Sequence, residues 1–214
     1  MSNPPFDPAL LQYLTKEPAK VLPYQVTSQQ VTVPVSRMLE EFVNPAFGDY
    51  CKDCSCFGTR WSCPPHDWDV AERWQQFQSV TLFLDQLLFT DQARDFIAEH
   101  GMTPDQVDES KTATMTYAKN IRDEQLLQLE ATTPGSLAVS PGTCRRCNPF
   151  PCKRAQGIAC DSPKVRESFS SYCGDVTAIC QELFNIPLKW AKKGELPEYY
   201  VLVGALLRKE PAPE

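Results

Sequence analysis

Cysteine crowding constrains this chain more than anything else in its sequence. The stretch "CKDCSCFGTRWSCPP" holds Cys51, Cys54, Cys56 and Cys63, and "CRRCNPFPCKRAQGIAC" holds Cys144, Cys147, Cys152 and Cys160. Thiols gathered this way are either a disulfide framework or a metal-binding set, and the compartment decides between them. The N-terminus "MSNPPFDPALLQYLTKEPAK" lacks a positive start followed by an apolar stretch, so a signal peptide is not expected and the cytoplasm is the expected location. Thiols are kept reduced there, and a chain of 214 residues is long enough to bury a core without disulfide staples. Metal binding is therefore the expectation.

Spacing supports it. Two C-x2-C pairs, Cys51/Cys54 and Cys144/Cys147, each have further cysteines nearby, and a tight turn lets both sulfurs of such a pair face one centre. Zinc would be satisfied by four thiolates, and the two pairs could even join in one tetrahedral site. Three features favour iron–sulfur chemistry instead: the compact, irregular run Cys144, Cys147, Cys152, Cys160; the Cys63-Pro64 step; and the scarcity of histidine, with only His66 and His100 in the chain. The expected cofactor is one or two [4Fe-4S] clusters, with zinc as the alternative. Cys56 stands two residues after Cys54, where a fourth ligand would need an immediate reversal of the chain, and it is expected to be dispensable. Cys173 and Cys180 are assigned to the core as small hydrophobes.

Charge narrows the partners. A net charge of −6 argues against a nucleic-acid binder, and the apolar run around "VTLFLDQLLF" is interrupted and too short to span a bilayer. Arg145, Arg146, Lys153 and Arg154 nevertheless stand among the second cysteines with no acid between Cys144 and Cys160. They read either as a solvated loop or as cations offsetting thiolate charge, which makes Arg145 and Arg146 candidates for cofactor contact. Arg122 is a third, because it falls within the apolar stripe Met115, Ala118, Leu126, Leu129 of a long predicted helix. It reads as an arginine at the core edge, or as a guanidinium pointed at a cluster, a carboxylate or an anionic substrate.

The pattern along the chain predicts an α+β fold in a single cysteine-rich domain over residues 24–214, preceded by a Pro-rich arm over 1–23. Four strands are expected, at "YQVTSQQVTVPV", "SVTLFLDQLLFT", "SLAVS" and "EYYVLVGALLR", forming a central, mostly antiparallel sheet with helices packed on it and two cysteine-rich loops. Helices are expected at "SRMLEEFV", at "DWDVAERWQQFQ" with Asp67 or Asp69 as its cap, and at "TPDQVDESKTATMTYAKNIRDEQLLQLEAT"; "SPKVRESFSSYCGDVTAICQELF" reads as two more, broken near Gly174.

The motifs "C-x2-C-x2-FG-x2-WSCPP", "PGSLAVSPGTCRRC", "SPKVRESFSSYCGDV" and "LPEYYVLVGALL" resemble a family of cysteine-rich predicted metal-binding proteins of unknown function, found mostly in anaerobic bacteria and archaea. The resemblance runs from about residue 31 to 208. It implies metal, and by position the ligands Cys51, Cys54, Cys63, Cys144, Cys147, Cys152 and Cys160. Cys56 and Cys173 depart from the pattern. No phosphate loop, serine-hydrolase elbow or zinc-protease motif is present. The expected role is electron transfer, or a reductase component of anaerobic-type metabolism, serving a redox partner protein or a small-molecule substrate. A zinc-stapled binding module and a cluster enzyme with an open, Lewis-acidic iron are the alternatives.

Overall fold

The computed structural model describes residues 21–147 and 150–212. The arm expected over 1–23 lies outside them except for its last three residues, of which Leu22 is buried and donates its N–H to Thr114 Oγ1 at 2.9 Å.

All four expected strands form: β1 (Tyr24–Pro34), β2 (Ser79–Phe89), β3 (Leu137–Val139) and β4 (Tyr199–Arg208). They make one antiparallel sheet in the order β1-β2-β4-β3, so the mixed α+β expectation holds. The order follows from side-chain chemistry. β2 is apolar on both faces and takes the centre, whereas β1 alternates Gln, Ser and Thr with valine and takes an edge. The other edge is the three-residue β3, too short to recruit a further strand.

On one face, Val80, Leu82, Leu84, Val203 and Leu207 pack with Phe42, Trp74, Phe169, Tyr172 and Ile179. On the other lies the helix Pro104–Thr132, whose Ala118 meets Leu87 and Leu202, and whose Leu126 meets Phe83 and Leu206. Thr103 and Gln106 close a capping box at its start. The helix presses so closely on β4 that a Cβ at Gly204 would lie 2.9 Å from Leu126 Cδ1. A methyl group there would force the Leu126 side chain to shift and would crowd Pro141 and the Val139 carbonyl.

Two helical expectations change in detail. "SRMLEEFV" is helical over Val35–Arg37 and continues as a π turn over Met38–Phe42. The first of the two helices expected after Ser162 does not form. Pro163 and Lys164 form a turn, residues 165–167 have no regular structure, and Ser168 makes an isolated bridge to Ser140. A 3-10 turn covers Phe169–Tyr172, and only Val176–Ala178 with the π turn Ile179–Leu183 remains helical. The reason is tertiary: Ser140 N–H donates to Glu167 C=O at 2.9 Å and Ser168 N–H to Ser62 C=O at 2.8 Å, consuming backbone groups that a helix would need. Asp69, of the two aspartates, caps Val70–Gln75 by accepting from Glu72 N–H at 3.0 Å. No helix among the described residues is long and apolar enough to cross a membrane.

Candidate metal centre

The first cysteine loop is a chain of consecutive turns. Cys54 N–H donates to Cys51 C=O, Phe57 N–H to Cys54 C=O, Thr59 N–H to Cys56 C=O and Cys63 N–H to Arg60 C=O, all between 2.9 and 3.2 Å. Gly58, at φ +65°, lets its N–H return to Pro64 C=O at 2.7 Å. The early reversal that a ligand at Cys56 would require is therefore present in the backbone.

Cys51, Cys54, Cys56 and Cys63 all line one cleft of about 730 Å³, together with Thr143, Asp175 and the aromatic rings of Phe47, Tyr50, Phe57 and Trp190. Thr143 Oγ1 lies 3.3 Å from Cys63 Sγ and also hydrogen-bonds the Cys56 thiol. Burial pushes the Cys56 thiol up, but its hydrogen bonds to Thr143 and Cys54 and the charge of Arg60 outweigh burial and hold it below the ordinary thiol value. Cys51 is raised, first by burial and then by Cys63 and Cys54.

The second loop gathers its own four thiols. Cys147 is raised by burial and then by Cys152, Cys144 and Cys160. Thiols that raise one another in this way resist ionising together, and a bound cation removes that penalty while releasing their protons. The donor set, sulfur throughout, fits a soft metal or an iron–sulfur group. Among the described residues, no three Cys, His, Asp or Glu groups form a set that could hold a metal ion.

The two loops are fastened to each other. Cys144 N–H donates to Ser62 Oγ at 2.9 Å, and Arg60 Nη1 to Cys144 C=O at 3.3 Å. Trp61 Nε1 donates to Ile158 C=O at 2.9 Å. Arg154 reaches out of the second loop to donate to the carbonyls of Arg60 (2.8 Å), Cys63 and Pro65, with its guanidinium 5.1 Å from the Trp61 ring centre.

The expected cationic residues divide by partner. Arg146 pairs with Glu124 of the long helix at 2.9 Å, Lys153 pairs with Asp161 at 2.6 Å, and Arg145 is half-buried beside Cys144. Arg122 meets a carboxylate: its Nε donates to Asp85 Oδ2 at 2.7 Å and its Nη2 to Ser28 Oγ at 3.3 Å, over the Phe83 ring. It is not among the residues lining the cleft. Cys180 is buried in the core as expected. Cys173 is buried too, but at φ +54° and close enough to Cys51 to feel its charge.

Sequence reasoning missed the buried serines that join the loops, Ser62, Ser168 and Ser171. Ser171 Oγ lies 3.0 Å from Ser168 Oγ and donates to Ser62 C=O at 3.2 Å. Ser62 sits inside the WSCPP block, which was the one available signal. Thr143, Asp175 and Trp190 were missed as well, and nothing local marked them.

A family model described as "Predicted metal-binding protein (DUF2284)" matches residues 40–207. The chain belongs to this family, whose function is unknown and whose matched region contains both cysteine loops and every residue that lines the cleft. No curated protein and no solved structure matches it.

Proposed function

We propose that this chain is an iron–sulfur redox protein with two thiolate-held centres, serving as an electron-transfer protein or as the reductase component of a reaction in the cleft. One observation carries the reading: two all-thiol groups are fastened together, yet the 730 Å³ cleft is lined by thiols of the first only. Cys144, Cys147, Cys152 and Cys160 would hold a closed centre, and Cys51, Cys54 and Cys63, with Cys56 as the fourth thiol, the one facing the cleft. Iron–sulfur groups held by such thiolates store and pass single electrons.

The chain's own residues supply the setting. Thr143 stands between the centres, with its hydroxyl 3.3 Å from Cys63 Sγ and its peptide bond leading directly to Cys144. Phe47 and Phe57 line the cleft beside the thiols, and apolar surroundings favour the less charged state of a centre. Arg60 brings a cation beside Cys56, and Arg154 fixes three loop carbonyls so that the thiols keep their orientation. A redox protein or a small molecule would be the partner.

Anaerobic purification with iron, sulfide and zinc analysis tests the reading. A brown protein with about four iron and four sulfide per filled centre is expected. Stoichiometric zinc in a colourless protein that refuses iron and sulfide overturns it. Turnover of a substrate at one fixed oxidation state would move the reading to Lewis-acid chemistry at the first centre.

A further inference from the structure

The lining of the cleft is of two chemical kinds. Part is sulfur and hydroxyl, from the four cysteines with Thr143, Ser168 and Ser170. The rest is largely aromatic: Phe47, Phe57, Tyr50 and Trp190 all line it, and the Phe47 and Tyr50 rings meet with centres 5.8 Å apart and planes tilted by 35°. Tyr50 is 75% exposed and Trp190 is 87% exposed. Burying a tryptophan ring is strongly favourable, so exposed rings lining a cavity point to a ligand that covers them.

Charge specifies that ligand. Among the described residues that line the cleft there is no Lys, Arg or His, and Asp175 is the one carboxylate. Asp175 caps the short helix behind it by accepting from Ala178 N–H at 3.0 Å through Oδ1, so half of its carboxylate is already engaged. An anion would find only Arg60, which reaches the Cys56 thiol without itself lining the cleft. A cation would find the Asp175 carboxylate, the negative faces of several rings and a sulfur-rich lining.

We infer that the cleft binds a planar organic cation, of the N-alkylated heteroaromatic class, stacked against Trp190 and Tyr50 with its charge toward Asp175. This names the ligand class of the cleft already described and rests on that reading for what happens after binding, but not for binding itself. Trp190 supplies the stacking face, Asp175 the charge preference, and Phe47 and Phe57 the slot that selects a flat ring.

Three probes share one ring and differ in charge: 1-methylnicotinamide (cation), nicotinamide (neutral) and nicotinate (anion). Titration calorimetry of the full chain should rank them in that order, the cation binding at least about tenfold tighter than the anion. Trp190→Ala should weaken the cation about tenfold, with Trp190→Phe retaining most of the affinity. Asp175→Asn keeps the helix cap, since asparagine caps as well as aspartate, and should bring cation and neutral probe together. Equal or tighter binding of nicotinate, absence of binding by all three, or an unchanged affinity in Trp190→Ala overturns the inference. Metal analysis of the same samples keeps the two readings apart. Charge ranking in a protein that takes zinc and no iron supports this inference and removes the iron–sulfur reading, whereas filled iron centres without charge ranking do the reverse.

Discussion

The backbone N–H of Cys144 donates to the side-chain oxygen of Ser62 at 2.9 Å, joining the two cysteine loops across 82 residues of sequence. Ser62 is fully buried, and its own carbonyl accepts from Ser168 N–H and Ser171 Oγ. One serine thus ties the first loop to the second and to the segment that refuses to become a helix.

Ser62→Ala removes the acceptor and leaves a buried N–H without a partner. The expected cost is about 1–3 kcal/mol. Urea unfolding should show a lower midpoint with an unchanged slope, and metal content at both centres should fall together. Loss confined to the first centre would show that the loops hold their metals independently.

The geometry around Cys56 makes it a candidate fourth ligand of the first centre. Its thiol hydrogen-bonds Thr143 and Cys54 and shares the cleft with Cys51 and Cys63. Cys56→Ser is expected to strip the first centre as fully as Cys51→Ser. Cys180, held by burial at about 12 and packed in the core, is the control. Cys180→Ala should cost about 1–2 kcal/mol of stability and leave metal content unchanged. Full metal in Cys56→Ser would restore the three-cysteine reading of the open centre.

Arg122 and Asp85 are paired with only 11% and 8% of their side chains exposed. Asp85→Asn leaves the guanidinium buried without its counter-charge, at an expected cost of about 3–5 kcal/mol. Asp85→Leu with Arg122→Met should be far milder than either charge removed alone. If Arg122 instead serves a cofactor, Arg122→Met will change metal content or reduction potential while Asp85→Asn will not.

His66 stacks on Trp68 at 4.5 Å with the rings 7° from parallel, and its Nε2 is buried without a hydrogen-bond partner among the described residues. Burial, aided by Arg154 and Arg73, outweighs Glu167 and Asp67 and holds its pKa below the ordinary value. The unfolded chain therefore takes up this proton first as pH falls. The stability it contributes is full above about pH 6.5 and is lost as pH drops from there toward the depressed folded value. His66→Gln should flatten the fall in unfolding free energy between pH 7.5 and 5.5. An unchanged slope would assign the fall to other groups.

Much of this protein was legible along the chain because the responsible physics is local. Alternation at Tyr24–Pro34, an apolar run at Ser79–Phe89 and the Thr103-Pro104 start of the long helix each declare themselves within a few residues. Donor type is local too, since a C-x2-C turn is sulfur-rich wherever the fold puts it. What required the tertiary structure was every property set by which segments meet. The stretch after Ser162 reads as helix until Ser62 and Ser140 take its backbone groups. Arg122 has two plausible fates until Asp85 arrives from β2, and Arg154 looks like a charge for a cluster until three carbonyls of the other loop claim it. Trp190 is one aromatic among many until the fold makes it line the same cleft as Tyr50. Periodicity and propensity describe a residue's neighbours in sequence, and these partners lie tens of residues away, chosen by packing against the sheet.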